Sequence, residues 1–292
     1  MFVTLTKACE GCGAREGRLL CRWDERSDGY YADVVRCRRC GFVFRAADSG
    51  AITLVSGRDL PDRLSGPRME VFRQYAEMVS PYRNTNRILD VGAGDGYYLK
   101  LCKERGWDVR GVEPNADLVA QAQSQHGISL FRGRLHEAKY PSDFFDVVTL
   151  WNVLEHVPNP SQIIGEACRV LRTDGALVCR TTNAAFHIPC RRLFLHLSKI
   201  WRVAARFDRS VIHHYCFDRA SISSLLKRTG LLVVDIKNAA PTQVRERFEG
   251  RMFCASLCAA AEKALAFLEI ASFGRALYGP SLLVRAVKPR TD

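Results

Sequence analysis

Apolar residues in this chain fall into short runs separated by polar, turn-forming stretches, and strand-like and helix-like segments alternate. Arg87–Val91, Trp107–Val112, Ile128–Phe131, Phe145–Leu150 and Ala176–Arg180 read as five successive strands. Runs this short and continuous suit strands buried on both faces. Between them the pattern predicts helices over Gly96–Arg105, Asn115–Gln125 and Pro160–Leu171, with Asn115 as an N-cap. Ahead of the first strand, Met69, Phe72, Ala76 and Val79 give Arg68–Val79 the spacing of a helix leaning on a sheet. The alternation breaks at residues 184–216, a helical-looking, basic and aromatic stretch. It resumes with a helix at Asp218–Thr229, a sixth strand at Gly230–Ile236 and a seventh at Ser281–Val287. Such alternation predicts an α/β fold, a parallel sheet covered by helices on both faces. No internal repeat is visible.

Three regions follow. Residues 1–45 form a cysteine-bearing module, residues 46–66 a linker rich in turn formers, and residues 67–292 the main domain. Within the last, residues 184–216 read as a helical cap and residues 247–275 as a C-terminal helical insert. The module carries Cys9-x-x-Cys12 and Cys37-x-x-Cys40, each pair followed by glycine. Two such pairs supply four thiolates, the ligand set of a closed tetrahedral zinc site. Gly13 and Gly41 permit the tight turns that bring backbone N–H groups to sulfur. The gap of 24 residues between the pairs fits two β-hairpins, so a small zinc ribbon with a structural Zn²⁺ is expected. A redox CxxC would need one pair and leave the other without a role.

Composition narrows the setting. At 292 residues the chain holds one full α/β domain plus a small module. Its twelve cysteines, about 4% of the chain, fall below the roughly 8–10% of disulfide scaffolds. Several of them (Cys102, Cys168, Cys179) sit in predicted helices or strands as small apolar residues. With no basic start and no apolar leader after Met1, a reducing cytoplasm is the expected location. No run reaches the roughly 18–20 apolar residues that span a bilayer. Met252–Phe273 comes nearest but contains Glu262, Lys263 and Glu269. It reads as an amphipathic helix that packs on the domain or makes a peripheral membrane contact. The net charge is +12. Between Thr181 and His214 the bases Arg191, Arg192, Lys199, Arg202, Arg206 and Arg209 face the single acid Asp208. That imbalance suits a solvated helix face or an anionic partner: a phosphorylated small molecule, a lipid headgroup or RNA.

The chemistry-bearing stretch is Ile-Leu-Asp-Val-Gly-Ala-Gly-Asp-Gly at 88–96. Its glycines let a backbone turn press against a ligand, and the turn opens onto a helix N-terminus. Glu113, ending the second strand, offers two acceptor oxygens to a ribose diol. A nucleoside-containing cofactor is therefore expected at the carboxyl edge of the sheet. The glycines stand at 92, 94 and 96, so the pattern is G-x-G-x-G and not the G-x-G-x-x-G of dinucleotide sites.

This stretch resembles motif I of the class I S-adenosylmethionine-dependent methyltransferases. Phe145-Asp146-Val147-Val148, Leu154-Glu155-His156-Val157 and Arg169–Leu177 resemble that family's fourth strand, the loop after it and the following helix–turn–strand. The resemblance spans residues 68–236 in order. It implies a doubly wound, Rossmann-like, seven-stranded methyltransferase sheet and S-adenosylmethionine as cofactor. It further implies that Asp90 orients the loop or receives the cofactor's ammonium group. Gly92, Ala93, Gly94 and Gly96 form the loop, Glu113 with Pro114 takes the ribose, and the Leu135 backbone takes the adenine. Trp151 and Asn152 line the methionine side. Residues 184–216 then cap an acceptor site, with Asn183, Trp201 and Tyr215 as acceptor contacts. His213 and His214 precede the next helix like the His-x-x-x-Phe segment of small-molecule methyltransferases. Either is a candidate to take a proton from a hydroxyl. His156 reads instead as a brace for its loop. The implied activity is methylation of an oxygen on a small anionic acceptor, a metabolite, sugar or lipid-linked glycan precursor. An RNA methyltransferase with a zinc module and a non-catalytic docking protein that binds S-adenosylmethionine are the alternatives.

Overall fold

The continuous apolar runs become the centre of a sheet. The computed structural model describes residues 2–4, 8–21, 33–46, 66–200, 213–239, 271–272 and 277–290. Seven strands form the main sheet: β5 (Arg87–Val91), β6 (Asp108–Glu113), β7 (Phe131–Arg132), β8 (Phe145–Trp151), β9 (Leu171–Thr182), β11 (Leu232–Asn238) and β12 (Ser281–Val287). Their order across the sheet is β11-β12-β9-β8-β5-β6-β7. The five strands from β7 to β9 pair in parallel, while β12 runs antiparallel to both its neighbours. The expectation of a parallel sheet thus fails at one strand, which enters between β9 and β11 and runs back against them. Interposed are α1 (Gly66–Met78), α2 (Tyr97–Glu104), α3 (Ala116–His126), α4 (Pro160–Val170), α5 (Ala184–Ile200) and α6 (Arg219–Arg228). From the adjacent strands β5 and β8 the chain leaves in opposite directions, to β6 and to β9. The crevice beyond their carboxyl ends is where open α/β sheets bind ligands.

Local chemistry sets the element ends. The Asn115 side chain accepts from the N–H groups of Asp117 and Leu118, capping α3 as the sequence predicts. At its other end Gly127 takes a left-handed conformation and Ile128 N–H returns to the Ala122 carbonyl. That cap holds Ile128–Leu130 out of the sheet, so the third strand begins only at Phe131, later than the apolar run suggests. Asp146, fully buried, accepts from the N–H groups of Asn84, Thr85 and Asn86 and from Arg172 Nε. These bonds fix the entry to β5.

The amino-terminal strands are β1 (Phe2–Thr4), β2 (Glu16–Cys21), β3 (Val34–Cys37) and β4 (Val43–Arg45). They form an antiparallel sheet whose fifth strand, β10 (Tyr215–Cys216), comes from the main domain. Tyr215 pairs with Phe44 and Cys216 with Val43. The ribbon is therefore joined to the main domain through its backbone. Phe42, fully buried, meets Tyr215 and Phe217 edge to face at 5.4 and 5.2 Å. Val34 and Val43 pack with Ala184, Ile188 and Cys216. Arg36 reaches Asp218 at 2.5 Å, and Arg192 Nε donates to the Leu20 carbonyl at 2.7 Å. The expected all-helical cap is corrected accordingly: α5 is helical, but Tyr215–Cys216 is a strand because β4 offers it a free edge. Residues 201–212, with Trp201, lie outside the described residues, as do residues 247–270 and 273–275 of the C-terminal insert. Among the described residues no helix is long and apolar enough to cross a membrane.

Because the Phe42 side chain packs in a core shared by both sheets, its loss should weaken both together. Phe42→Ala is expected to lower unfolding free energy by roughly 3–5 kcal/mol, the range for a fully buried aromatic. Urea unfolding followed by circular dichroism and by tyrosine and tryptophan fluorescence should give one coincident, earlier transition. Two separated transitions would mean that the ribbon folds independently.

Candidate functional site

The turn between β5 and α2 is shaped by three glycines in left-handed conformation, with φ of 71° at Gly92, 59° at Gly94 and 75° at Gly96. A Cβ on Gly92 would lie 2.7 Å from the Val153 side chain, and one on Gly96 would lie 2.9 Å from Ala122 Cβ. Glycine is required at both for conformation and for room. Glu113, at the end of β6, closes over this turn. One carboxylate oxygen accepts from Gly94 N–H and the other from Asn115 N–H, each at 2.9 Å. Each oxygen keeps a second lone pair for a ligand hydroxyl. Pro114 carries the chain from Glu113 into the α3 cap, and Ala93 is buried inside the turn.

Asp90 stands beneath the loop, 1% exposed. Thr149 Oγ1 donates to it at 2.7 Å. Burial raises its pKa to about 8; the Thr149 bond opposes that rise, and the charges of Glu113 and Asp95 add to it. The carboxyl is thus neutral near pH 7, and a cation beside it would favour its ionised form. Leu135 begins a short 3-10 turn after β7, and its side chain is buried in the core.

The facing wall is aromatic. Trp151 stacks on Tyr75 of α1 at 4.5 Å and 12°, with Tyr98 at 5.0 Å and Phe72 at 6.3 Å. The Trp151 Nε1 atom is buried with no hydrogen-bond partner among the described residues. Next to it Asn152 adopts a left-handed conformation (φ 57°). Its N–H donates to the Arg180 carbonyl at 2.9 Å, and its Oδ1 accepts from Arg180 Nη1. Its Nδ2 donates to Glu155, whose other oxygen accepts from Thr181 Oγ1. This buried chain ties the loop after β8 to the end of β9 and sets the Arg180 guanidinium beside the Tyr75 hydroxyl. Sequence reasoning missed Tyr75, Arg180 and the role of Glu155. The signal for Arg180 was an arginine in an otherwise apolar strand.

The acceptor side differs more from expectation. The Asn183 side chain donates to the carbonyls of Leu277 and Gly279 and accepts from Ala185 N–H. It braces the approach to β12 and the start of α5, and no donor remains for an acceptor molecule. Tyr215 is 5% exposed; its ring faces Phe42 and its hydroxyl donates to the Pro158 carbonyl at 2.8 Å. It is a ribbon contact. His213 lies 4.0 Å, ring to ring, from His156. Burial, and then the charges of His156, Arg45, His187 and His214, lower its pKa to about 3. As the molecule stands, His213 is neutral and a weak base. The His214 carbonyl accepts from Arg45 N–H at 3.1 Å, continuing the ladder between the sheets.

In the ribbon the ligand atoms of Cys9, Cys12, Cys37 and Cys40 all lie within 4.8 Å of one another. Cys9–Cys40 and Cys12–Cys37 are 3.5 Å apart, too far for a disulfide. A zinc tetrahedron with Zn–S of about 2.3 Å has edges of about 3.8 Å, so the donor set fits the ion. Backbone N–H groups of Gly11, Ala14 and Phe42 point at Cys9, Cys12 and Cys40. Gly13 and Gly41 turn with φ of 73° and 75°. The hydrogen bond from Cys9, aided by the Phe42 N–H, brings the Cys40 pKa down to about 4, while Cys9 is pushed up in return.

Comparison with known proteins identifies the family and the fold. A family model described as a methyltransferase domain matches residues 63–236. A ubiquinone biosynthesis O-methyltransferase of Azoarcus sp. (strain BH72) is 31% identical over 107 residues, 34% of this chain and 46% of that protein. A Mycobacterium tuberculosis (strain ATCC 25618 / H37Rv) protein, named as an S-adenosylmethionine-dependent methyltransferase, is 26% identical over 153 residues, 50% of this chain and 54% of its own. The chain spans about half the length of the curated relatives it matches. A solved chain from Listeria monocytogenes, assigned to the S-adenosylmethionine-dependent methyltransferases, superposes with a TM-score of 0.53 at 12% identity, covering 77% of this chain and 100% of that one. At that identity the likeness is one of fold.

The buried Asp90 makes a pH-dependent prediction. The folded chain keeps its proton up to about pH 8, whereas the unfolded chain releases it near 3.8. Between these values the unfolded state binds fewer protons, so stability from this group falls as pH rises. Asp90→Asn removes that decline. Without ligand, the melting temperature of the variant minus that of the parent should climb from about pH 4 to about pH 8. A difference independent of pH would contradict a neutral buried carboxyl.

Proposed function

The chain belongs to the methyltransferase domain family, and on that premise we propose that it moves the methyl group of S-adenosylmethionine onto an oxygen of a small anionic acceptor. A metabolite, a sugar and a lipid-linked glycan precursor all have the required chemistry. The observation that carries this reading is the position of Glu113. Its carboxylate is locked onto the Gly94 and Asn115 N–H groups at the carboxyl edge of the sheet, with open lone pairs. The glycine turn and the neutral Asp90 beside it fit a ligand with a ribose diol and a cationic amino group. Oxygen as the acceptor atom draws support from the relatives named as ubiquinone biosynthesis O-methyltransferases.

The cofactor supplies a methyl group on positively charged sulfur, already electrophilic, so little further activation is needed. This chain's residues bind and align. Glu113 accepts from the ribose hydroxyls. Asp90 gives up its proton and faces the ammonium group. Trp151, Tyr75, Phe72 and Tyr98 keep water from the methionine side. The Arg180–Asn152–Glu155–Thr181 chain holds the loop after β8 rigid, and alignment of this kind supplies most of the rate. A base as weak as His213 is compatible with such chemistry. The four cysteines would hold a structural zinc ion, which would shape the ribbon that in turn pairs with β10.

Calorimetric titration of the zinc-loaded protein tests the pocket. S-adenosylmethionine should bind in the micromolar range and NAD should not. Glu113→Ala should lose at least about tenfold in affinity, roughly 1.4 kcal/mol; unchanged affinity would refute the assignment. Removing the metal with a strong chelator should lower the melting temperature and raise hydrogen exchange at the Arg45 amide, which donates to the His214 carbonyl across the β4–β10 seam. Undisturbed protection there would mean that the seam holds without the metal.

A further inference from the structure

Two hydrogen-bond donors are buried side by side on one face of the main sheet with nothing to accept from them. Trp151 Nε1 and the Tyr75 hydroxyl have no hydrogen-bond partner among the described residues. Tyr75, 5% exposed, lies on α1, and its ring stacks on the Trp151 indole at 4.5 Å and 12°. Tyr98 meets the same indole edge to face at 5.0 Å, and Phe72 closes the box at 6.3 Å. Arg180, the register neighbour of Trp151 on β9, stands beside the Tyr75 hydroxyl and gives Nη1 to Asn152 Oδ1. A guanidinium only donates, so it offers nothing to the Tyr75 proton or to the indole N–H. Buried donors left unmet are costly, and native structures keep them where something else completes the bond.

The place of this patch in the sheet narrows the missing acceptor. Thr149 is the register partner of Asp90, and Trp151 follows two residues later on β8. The side chains of Asp90, Thr149 and Trp151 therefore share one face, and Trp151 stands about 7 Å beyond Thr149 toward the carboxyl edge. An indole side chain spans that interval. In an α-amino acid the ammonium and the carboxylate hang from a single carbon, so a ligand that sets its ammonium against Asp90 carries its carboxylate into the neighbourhood of Trp151. A carboxylate only accepts, and two neutral donors satisfy it without a proton to spare. We propose that Trp151 Nε1 and the Tyr75 hydroxyl hold the carboxylate of the amino-acid end of S-adenosylmethionine. The ligand is taken from the methyltransferase reading; the unmet donors stand without it. Helix α1 thereby enters the cofactor site, and the zwitterion is divided: Asp90 on β5 faces the cation, while β8 and α1 take the anion.

Decarboxylated S-adenosylmethionine keeps the ribose, the sulfonium and the amine and lacks only the carboxylate, so it isolates these two donors. Calorimetry on the zinc-loaded full chain should show the parent binding S-adenosylmethionine at least about tenfold more tightly than the decarboxylated form. Tyr75→Phe removes one oxygen and keeps the stacked ring. It and Trp151→Phe should each lose about tenfold toward S-adenosylmethionine and leave the decarboxylated form within about twofold. Equal losses toward both ligands would reduce the two residues to packing, and no loss in Tyr75→Phe and Trp151→Phe alike would leave the carboxylate elsewhere; either result overturns the proposal. The indole ¹H–¹⁵N signal of Trp151, identified by its disappearance in Trp151→Phe, should move to lower field with S-adenosylmethionine and much less with the decarboxylated form. Sodium acetate is then added to protein saturated with S-adenosylmethionine. A further move of that signal would show the donors open to a carboxylate from another molecule, such as the acceptor, and would overturn the assignment to the cofactor. The two readings fail differently. Binding of S-adenosylmethionine with no preference over the decarboxylated form sinks the carboxylate site alone, whereas a parent that binds neither ligand sinks the methyltransferase reading and the site with it.

Discussion

Two short stretches of backbone, Val43–Arg45 and His214–Cys216, hold the two sheets of this molecule together. Their pairing makes a piece of the main domain the fifth strand of the ribbon sheet. The same residues are held from the other side as well. Tyr215 N–H donates to the Glu155 carbonyl and Phe217 N–H to the Thr182 carbonyl. Three structures therefore meet in four residues: the ribbon, the loop after β8 and the end of β9. The ribbon is built into the main domain and is not an appendage.

Around the glycine turn the constraint is electrostatic. A buried neutral acid and a left-handed asparagine are unfavourable in isolation, and the turn leaves backbone N–H groups to be satisfied. Each is held by specific partners: Thr149 for Asp90, Arg180 and Glu155 for Asn152, and the Glu113 carboxylate for the glycine turn. Strain is concentrated where a ligand would sit, and the hydrogen bonds that hold it come from neighbouring strands of the same sheet.

Much of this was legible in the sequence because it is local. The strands of the sheet centre, the Asn115 cap, the glycine turn and the two CxxC knuckles each declare themselves within about ten residues, through period, turn chemistry or ligand spacing. What escaped depends on partners far away in the chain. Tyr215, flanked by His213-His214, reads as an active-site aromatic until β4, some 170 residues earlier, is found beside it. Asn183 reads as an acceptor contact until the carbonyls of Leu277 and Gly279 are seen to occupy its amide. Arg180 looks like a stray charge in a strand until Asn152 and Tyr75 close around it. The antiparallel entry of β12 has the same origin, since direction in a sheet is not written in the strand's own pattern.

Asp90 carries one more consequence. A carboxyl that keeps its proton to about pH 8 must surrender it to solvent whenever a cation settles against it. If the ammonium group of the proposed cofactor settles there, loading would exchange one positive charge for another. Apparent affinity would then rise with alkalinity across the neutral range, and the heat evolved would depend on which buffer collects the proton.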